Sequence, residues 1–125
     1  MKALLFVALG GALGAVLRYQ ISSGIYHWFG RGFPYGTLVV NVLGSLAIGV
    51  LSILLVEKFN VSQEVKLGLV AGVLGALTTF STFSWDTLHL LEQGMVQKAF
   101  INVLLNVTVC IAAAWLGAQW AKAMV

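Results

Sequence analysis

Residues 75–86 read Gly75-Ala-Leu-Thr78-Thr79-Phe80-Ser81-Thr82-Phe83-Ser84-Trp85-Asp86. Thr78, Thr79, Ser81, Thr82 and Ser84 place five hydroxyls within seven positions, inside a run without charge from Leu67 to Trp85. At 100° per residue these hydroxyls point all round a helix, so no single lipid-facing orientation hides them. In a continuous helix each can return its hydrogen to the carbonyl four residues back. In a broken helix they satisfy freed backbone, and backbone broken at membrane depth is tolerated only where protein buries it or it lines a cavity. Glycines at 68, 72 and 75, followed by β-branched and small residues, point to a break at Gly75–Thr79. Phe80 and Phe83 stand at i and i+3, on one side of such a helix. Such a pair serves as packing in many folds. A phenyl ring also has a positive edge. Edges turned into a narrow path would favour a small anion while holding it weakly enough to leave.

Two further polar faces accompany this segment. Thr37, Asn41, Ser45 and Ser52 fall within about 80° of one another at helical spacing, with Gly44 on the same stripe. Asn102, Asn106 and Cys110 follow at i, i+4 and i+8. Either face can act as glue between helices, with small residues for close approach and an amide for an interhelical hydrogen bond. Either can equally line a path for an ion. Arg18 stands alone in the first apolar stretch; it can snorkel to the interface or make a vestibule attractive to anions. Asp86 and Glu92 read as interfacial acids, and His27 and His89 lie near the interface with no carboxylate cluster to complete a metal site. No nucleophile–base pair or carboxylate pair is visible, which argues against an enzyme. The single cysteine, Cys110, excludes an internal disulfide and a cysteine metal cluster.

The elements that must position these residues follow from charge. Of 125 residues 60% are apolar and only 9% charged, seven basic and four acidic. A soluble domain carries about a quarter charged residues. This excludes an ordinary soluble enzyme and a disordered chain, and the scattered basic residues form no patch to track nucleic acid. Gly32–Val56, Leu67–Trp85 and Ala99–Ala121 carry no charge, and each is long enough to span about 30 Å of hydrocarbon. Ala3–Leu17 is shorter, but a further uncharged run, Tyr19–Gly30, follows Arg18. The reading is a single all-α membrane domain over residues 1–125, with four transmembrane helices at about 3–27, 34–56, 65–92 and 97–122. Pro34 suits a first helical turn, Ser62 a helix start and Gly94 a helix end. A cleaved leader at residues 1–18 fits only loosely.

With four spans, both termini and the middle loop share a side. That side carries Lys2, Lys58, Lys66 and Lys122; the other carries Arg31 and Lys98, with Arg18 if it snorkels that way. So small a bias either just fixes one orientation or allows both, and with both an antiparallel homodimer.

Together, Gly10-Gly-Ala-Leu-Gly14-Ala-Val-Leu-Arg18-Tyr19, Gly36-Thr37-Leu-Val-Val-Asn41-Val-Leu-Gly44 and Gly75-Ala-Leu-Thr78-Thr79-Phe80-Ser81-Thr82-Phe83-Ser84 resemble the CrcB/Fluc family of fluoride channels over essentially the whole chain. The resemblance implies an antiparallel, dual-topology homodimer in the bacterial cytoplasmic (inner) membrane, with two fluoride pores and a broken third helix. Phe80 and Phe83 match paired pore phenylalanines, and Asn41 matches an asparagine that donates to the ion. Ser81 and Thr82 match nearby hydroxyls, and Arg18 matches a vestibule arginine. The carbonyls of Gly75 and Thr78 match ligands of a structural sodium ion on the dimer axis. On helix four the family often carries hydroxyls where this chain has Asn102, Asn106 and Cys110, so the polarity survives with different groups.

The implied activity is passive export. Fluoride enters acid-exposed cells as HF, ionises inside and cannot recross lipid, and a negative interior drives it out through a pore. The rivals are a small multidrug-type proton-coupled exporter and a non-transporting membrane scaffold. The first requires a membrane-embedded carboxylate in helix one, which this chain lacks. The second would make the polar faces packing alone.

Overall fold

The computed structural model describes residues 1–125. Helix α1 (Lys2–Phe29) ends at Gly30, whose φ of 77° reverses the chain while its N–H still donates to Tyr26 O at 2.9 Å. Pro34 caps helix α2 (Tyr35–Lys58), standing one position before the first helical residue rather than inside the first turn. The last five residues of α2, Leu54–Lys58, widen into a π-helical turn. Ser62 caps the next helix, its hydroxyl accepting from Val65 N–H. That helix, α3, covers residues 63–77 and is π-helical over Gly68–Leu74. Thr78 and Thr79 are extended, with ψ of 157° and 118°. Helix α4 (Phe80–Glu92) follows, then a turn at Gly94 with φ 78°, then α5 (Val96–Ala123). Taken as α1, α2, α3 with α4, and α5, the chain has four segments long and apolar enough to cross a membrane.

Packing is dominated by α2 against α5 and by α1 against α3. The α1–α3 seam is made of backbone. Gly10 and Gly14 are the only buried residues of α1. A Cβ at Gly10 would collide with the carbonyl of Gly68, and one at Gly72 would lie 3.0 Å from Gly10 Cα. Only glycine lets two helices approach so closely. Little else is buried: 23 of 125 residues, with Val40, Leu74 and Leu77 as the hydrophobic centre. The long apolar side chains instead face outward, among them Leu4, Leu9 and Leu13 on α1 and Phe100, Ile111 and Trp115 on α5. Such a continuous apolar exterior needs lipid or another protein around it.

Candidate functional site

The interruption at Thr78–Thr79 is stitched to α2 by one side chain. Asn41 Oδ1 accepts from Thr79 N–H at 2.8 Å, and Asn41 Nδ2 donates back to Thr79 O at 3.1 Å. A side-chain amide thus pairs with both polar groups of one extended residue, which satisfies backbone that no helix turn can serve. Gly75–Leu77 stay helical because Thr78 N–H still reaches Leu74 O at 3.1 Å. The interruption therefore falls where Asn41 offers its amide, at the C-terminal edge of the 75–79 segment. Gly44, one turn along α2, makes room: a Cβ there would overlap the Thr78 methyl.

Thr79 also starts α4. Its Oγ1 accepts from Thr82 N–H at 3.1 Å, the N-cap arrangement of a threonine. The same hydroxyl donates to Thr82 Oγ1 and lies 3.3 Å from Ser81 Oγ. These contacts have a consequence for two carbonyls. In a continuous helix Thr79 N–H would donate to Gly75 O and Thr82 N–H to Thr78 O. Here the first goes to Asn41 and the second to the Thr79 hydroxyl. Both carbonyls are left without their helical donors, and Gly75 is exposed. Carbonyl oxygens free in this way suit a hard cation such as sodium.

A polar line runs from the interruption into α5. Asn41 Nδ2 donates its other hydrogen to Asn106 Oδ1 at 3.0 Å. Asn106 Nδ2 donates to the carbonyl and side-chain oxygens of Asn102, and Asn102 Nδ2 donates to Thr87 Oγ1. Both asparagines of α5 are buried. Alongside lies an open cavity of about 430 Å³, lined among others by Asn41, Ser45, Phe80, Phe83, Asn106 and Cys110. The two phenyl rings stand 5.3 Å apart at 58°. Phe83 is 8% exposed and Phe80 77%, so one ring is set in the fold and the other stands free on the subunit surface.

A second cavity, of about 370 Å³, opens where α1, α2, α4 and α5 end or begin, lined by Tyr26, Arg31, Asp86, His89 and Lys98 among others. Arg31 lies 4.4 Å over the Tyr26 ring, and Lys98 Nζ donates to Gly32 O. Asp86, half-buried, accepts from Thr37 Oγ1 at 2.8 Å. It sits one turn beyond Phe83 on the same face of α4 and lines the second cavity.

The fold thus gathers Asn41, Phe80, Phe83, Asn102 and Asn106, with Gly75 and Thr78 beside them. Ser81 and Thr82 are exposed and touch Thr79 rather than the cavity. Arg18 is half-buried on α1 and lines neither cavity. Ser52, on the α2 stripe, bonds its own helix at Gly49 O.

Comparison with known proteins gives the family. The family model described as "CrcB-like protein, Camphor Resistance (CrcB)" matches residues 5–118. The chain belongs to the CrcB family. A family protein of Shewanella pealeana is 55% identical over 119 residues, 95% of each chain, and is named fluoride-specific ion channel FluC. One of Geobacter metallireducens with the same name is 47% identical over 98% of each chain. One of Methylococcus capsulatus, again so named, is 50% identical over 93% of this chain, which spans about half of that relative's length. These CrcB relatives carry the name of a channel, not of an enzyme. As a member of the CrcB family with four apolar spans, the chain is a multi-pass membrane protein.

Three residues of the site were not singled out from sequence as site residues: Thr37, Asp86 and Thr87. Each carries a positional signal. Thr37 precedes Asn41 by one turn of α2, Asp86 follows Phe83 by three positions, and Thr87 follows Phe83 by four.

Proposed function

We propose that the protein is a passive, fluoride-selective channel that lets cytoplasmic fluoride leave a bacterium across its inner membrane. Near-complete coverage of relatives named fluoride-specific ion channels, at about half identity, carries the reading. The geometry supports it: phenyl rings and amides border one cavity in a span that is otherwise apolar. No energy source is required, since a negative interior drives one anionic charge outward by about 2.3 kcal/mol per 100 mV. Phe80 and Phe83 would turn ring edges to the ion, giving weak and directional attraction in a dry constriction. Asn41 would donate to it, and the hydrogen now on Asn106 Oδ1 is the one available for exchange, because the other holds the interruption.

A second copy completes the reading. Phe80, Ser81 and Ser84 are exposed at the middle of a span, and hydroxyls facing hydrocarbon are costly. An inverted partner would cover them and give two pores per antiparallel dimer, in keeping with the small Lys/Arg asymmetry. On the axis of such a dimer the freed carbonyls of Gly75 and Thr78, two from each subunit, would hold a structural sodium ion. Bound there, sodium would offset the partial negative charge of those carbonyl oxygens.

Purified protein in liposomes loaded with fluoride tests the function: passive efflux with little chloride flux is expected, and absence of fluoride efflux would refute it. A C-terminal tag tests topology, with accessibility from both faces of the membrane expected; one face only would rule out the antiparallel dimer.

A further inference from the structure

Five hydrogen bonds form a chain in which every donor points the same way. Thr79 N–H donates to Asn41 Oδ1 (2.8 Å), and Asn41 Nδ2 to Asn106 Oδ1 (3.0 Å). Asn106 Nδ2 donates to Asn102 Oδ1 (3.0 Å), and Asn102 Nδ2 to Thr87 Oγ1 (3.0 Å). Thr87 Oγ1 closes the chain on Phe83 O (2.8 Å). It starts at the N–H of the interruption and ends on the backbone of a ring residue. Asn41 and Asn106 each have both amide hydrogens engaged. Asn102 is 0% exposed and lines no cavity, so no water stands ready to take up a partner it loses.

This direction is wrong for an anion. At the Asn41–Asn106 junction an anion would meet one N–H from Asn41 and an oxygen from Asn106. Asn41 cannot turn, because two bonds pin it to Thr79. A half-turn of the Asn106 amide exchanges its oxygen for its nitrogen and gives the anion a second donor. Its oxygen then faces the side-chain oxygen of Asn102, which must make the same half-turn. Meanwhile the Asn102 backbone carbonyl gives up its bond from Asn106 Nδ2 and keeps only its helical donor, a loss that the anion's second donor has to offset. The Asn102 oxygen then faces Thr87. A hydroxyl carries donor and acceptor on one atom, so Thr87 can swing its hydrogen from Phe83 O to Asn102 Oδ1 and end the rearrangement. No other member of the chain can do so.

We propose that Thr87 is a positioning residue for permeation: its hydroxyl lets the Asn106–Asn102 chain reverse direction when an acceptor-only anion occupies the Asn41–Asn106 junction. This rests on the fluoride reading above. A merely structural clamp between α4 and α5 would need the bond but not its reversal.

The test compares Thr87→Val, which keeps shape and loses the hydroxyl, with Thr87→Ser, which keeps the hydroxyl. Flux from liposomes is read beside the fluoride-induced infrared difference spectrum of protein labelled in its asparagine side chains. The parent and Thr87→Ser are expected to conduct and to show asparagine amide bands that move with fluoride. Thr87→Val, eluting as the same dimer, is expected to lose flux by about ten-fold or more and to lose the band change, as for an acceptor stranded in a buried chain. Flux of Thr87→Val within about two-fold of the parent overturns the proposal, a difference smaller than one stranded buried group costs. So do parental asparagine bands that saturating fluoride leaves unmoved, a reading that decides even where Thr87→Val fails to assemble. A parent without fluoride flux whose bands still move would sink the channel reading and leave the reversal standing.

Discussion

The two halves of the third span are built on different principles. Residues 63–77 run as a widened helix against α1, and their seam is glycine on glycine, with backbone touching backbone. Residues 80–92 have no such seam. They are held by side-chain hydrogen bonds: Thr79 as cap, Thr37 on Asp86, and Asn102 on Thr87. The first half is fixed by shape, which tolerates no added atom. The second is fixed by exchangeable polar contacts, which can be remade without moving the backbone.

The contrast sets the order of expected effects. Gly10→Leu should be the most damaging change, because the new side chain meets the Gly68 carbonyl where nothing can yield; overpacking costs about 1–3 kcal/mol even where neighbours can shift. Loss of a monodisperse peak in size-exclusion chromatography would show it, and a normal elution profile would contradict the shape argument. Asn41→Asp should come next. An ionised carboxylate about 4 Å from the anion costs about 4 kcal/mol at an effective dielectric near 20. Its fluoride flux should therefore fall further than that of Asn41→Ser, measured in the same liposomes.

The two rings sharpen the comparison. Phe80→Ile and Phe83→Ile should each reduce flux sharply, since bulk remains and the ring quadrupole is lost. Phe83→Ile should also lower the thermal stability of the subunit itself, because Phe83 is buried within it. Parental flux in both variants would make the rings packing alone. The smallest effect belongs to Thr78→Val. It removes a hydroxyl bonded to the Leu74 carbonyl of its own helix and leaves the backbone oxygen in place. Flux and thermal stability should stay near parental, in line with the roughly 1 kcal/mol net worth of one hydrogen bond.

Much of this was legible in the residues because the bilayer makes charge so costly. Four spans follow from where Lys, Arg, Asp and Glu are absent, and the crowd of hydroxyls at 78–84 marks the special segment. Asn41, Asn102 and Asn106 stand out as amides at membrane depth. What stayed hidden depends on partners far away in the chain. The π-helical stretch Gly68–Leu74, which packs on α1, has no local signature in the residues. The position of the interruption within 75–79 was decided by Asn41, 38 residues earlier. Asp86 reads as an interfacial acid until Thr37, 49 residues away, is seen to donate to it. Arg18, which reads from sequence equally as a snorkelling residue and as a vestibule charge, lines neither cavity of the subunit.

The extended pair Thr78–Thr79 has one more consequence, for the field within the membrane. A helix carries about half a positive charge at its start and half a negative charge at its end. An unbroken third span would keep both poles at the two membrane surfaces, where water screens them. Interrupting it brings the negative end of α3 and the positive end of α4 to the same depth, two residues apart, in a low-dielectric setting. The same two residues therefore create a place that attracts a cation and, beside it, one that attracts an anion. Neither requires an ionised side chain, so neither adds to the cost of inserting the chain into lipid.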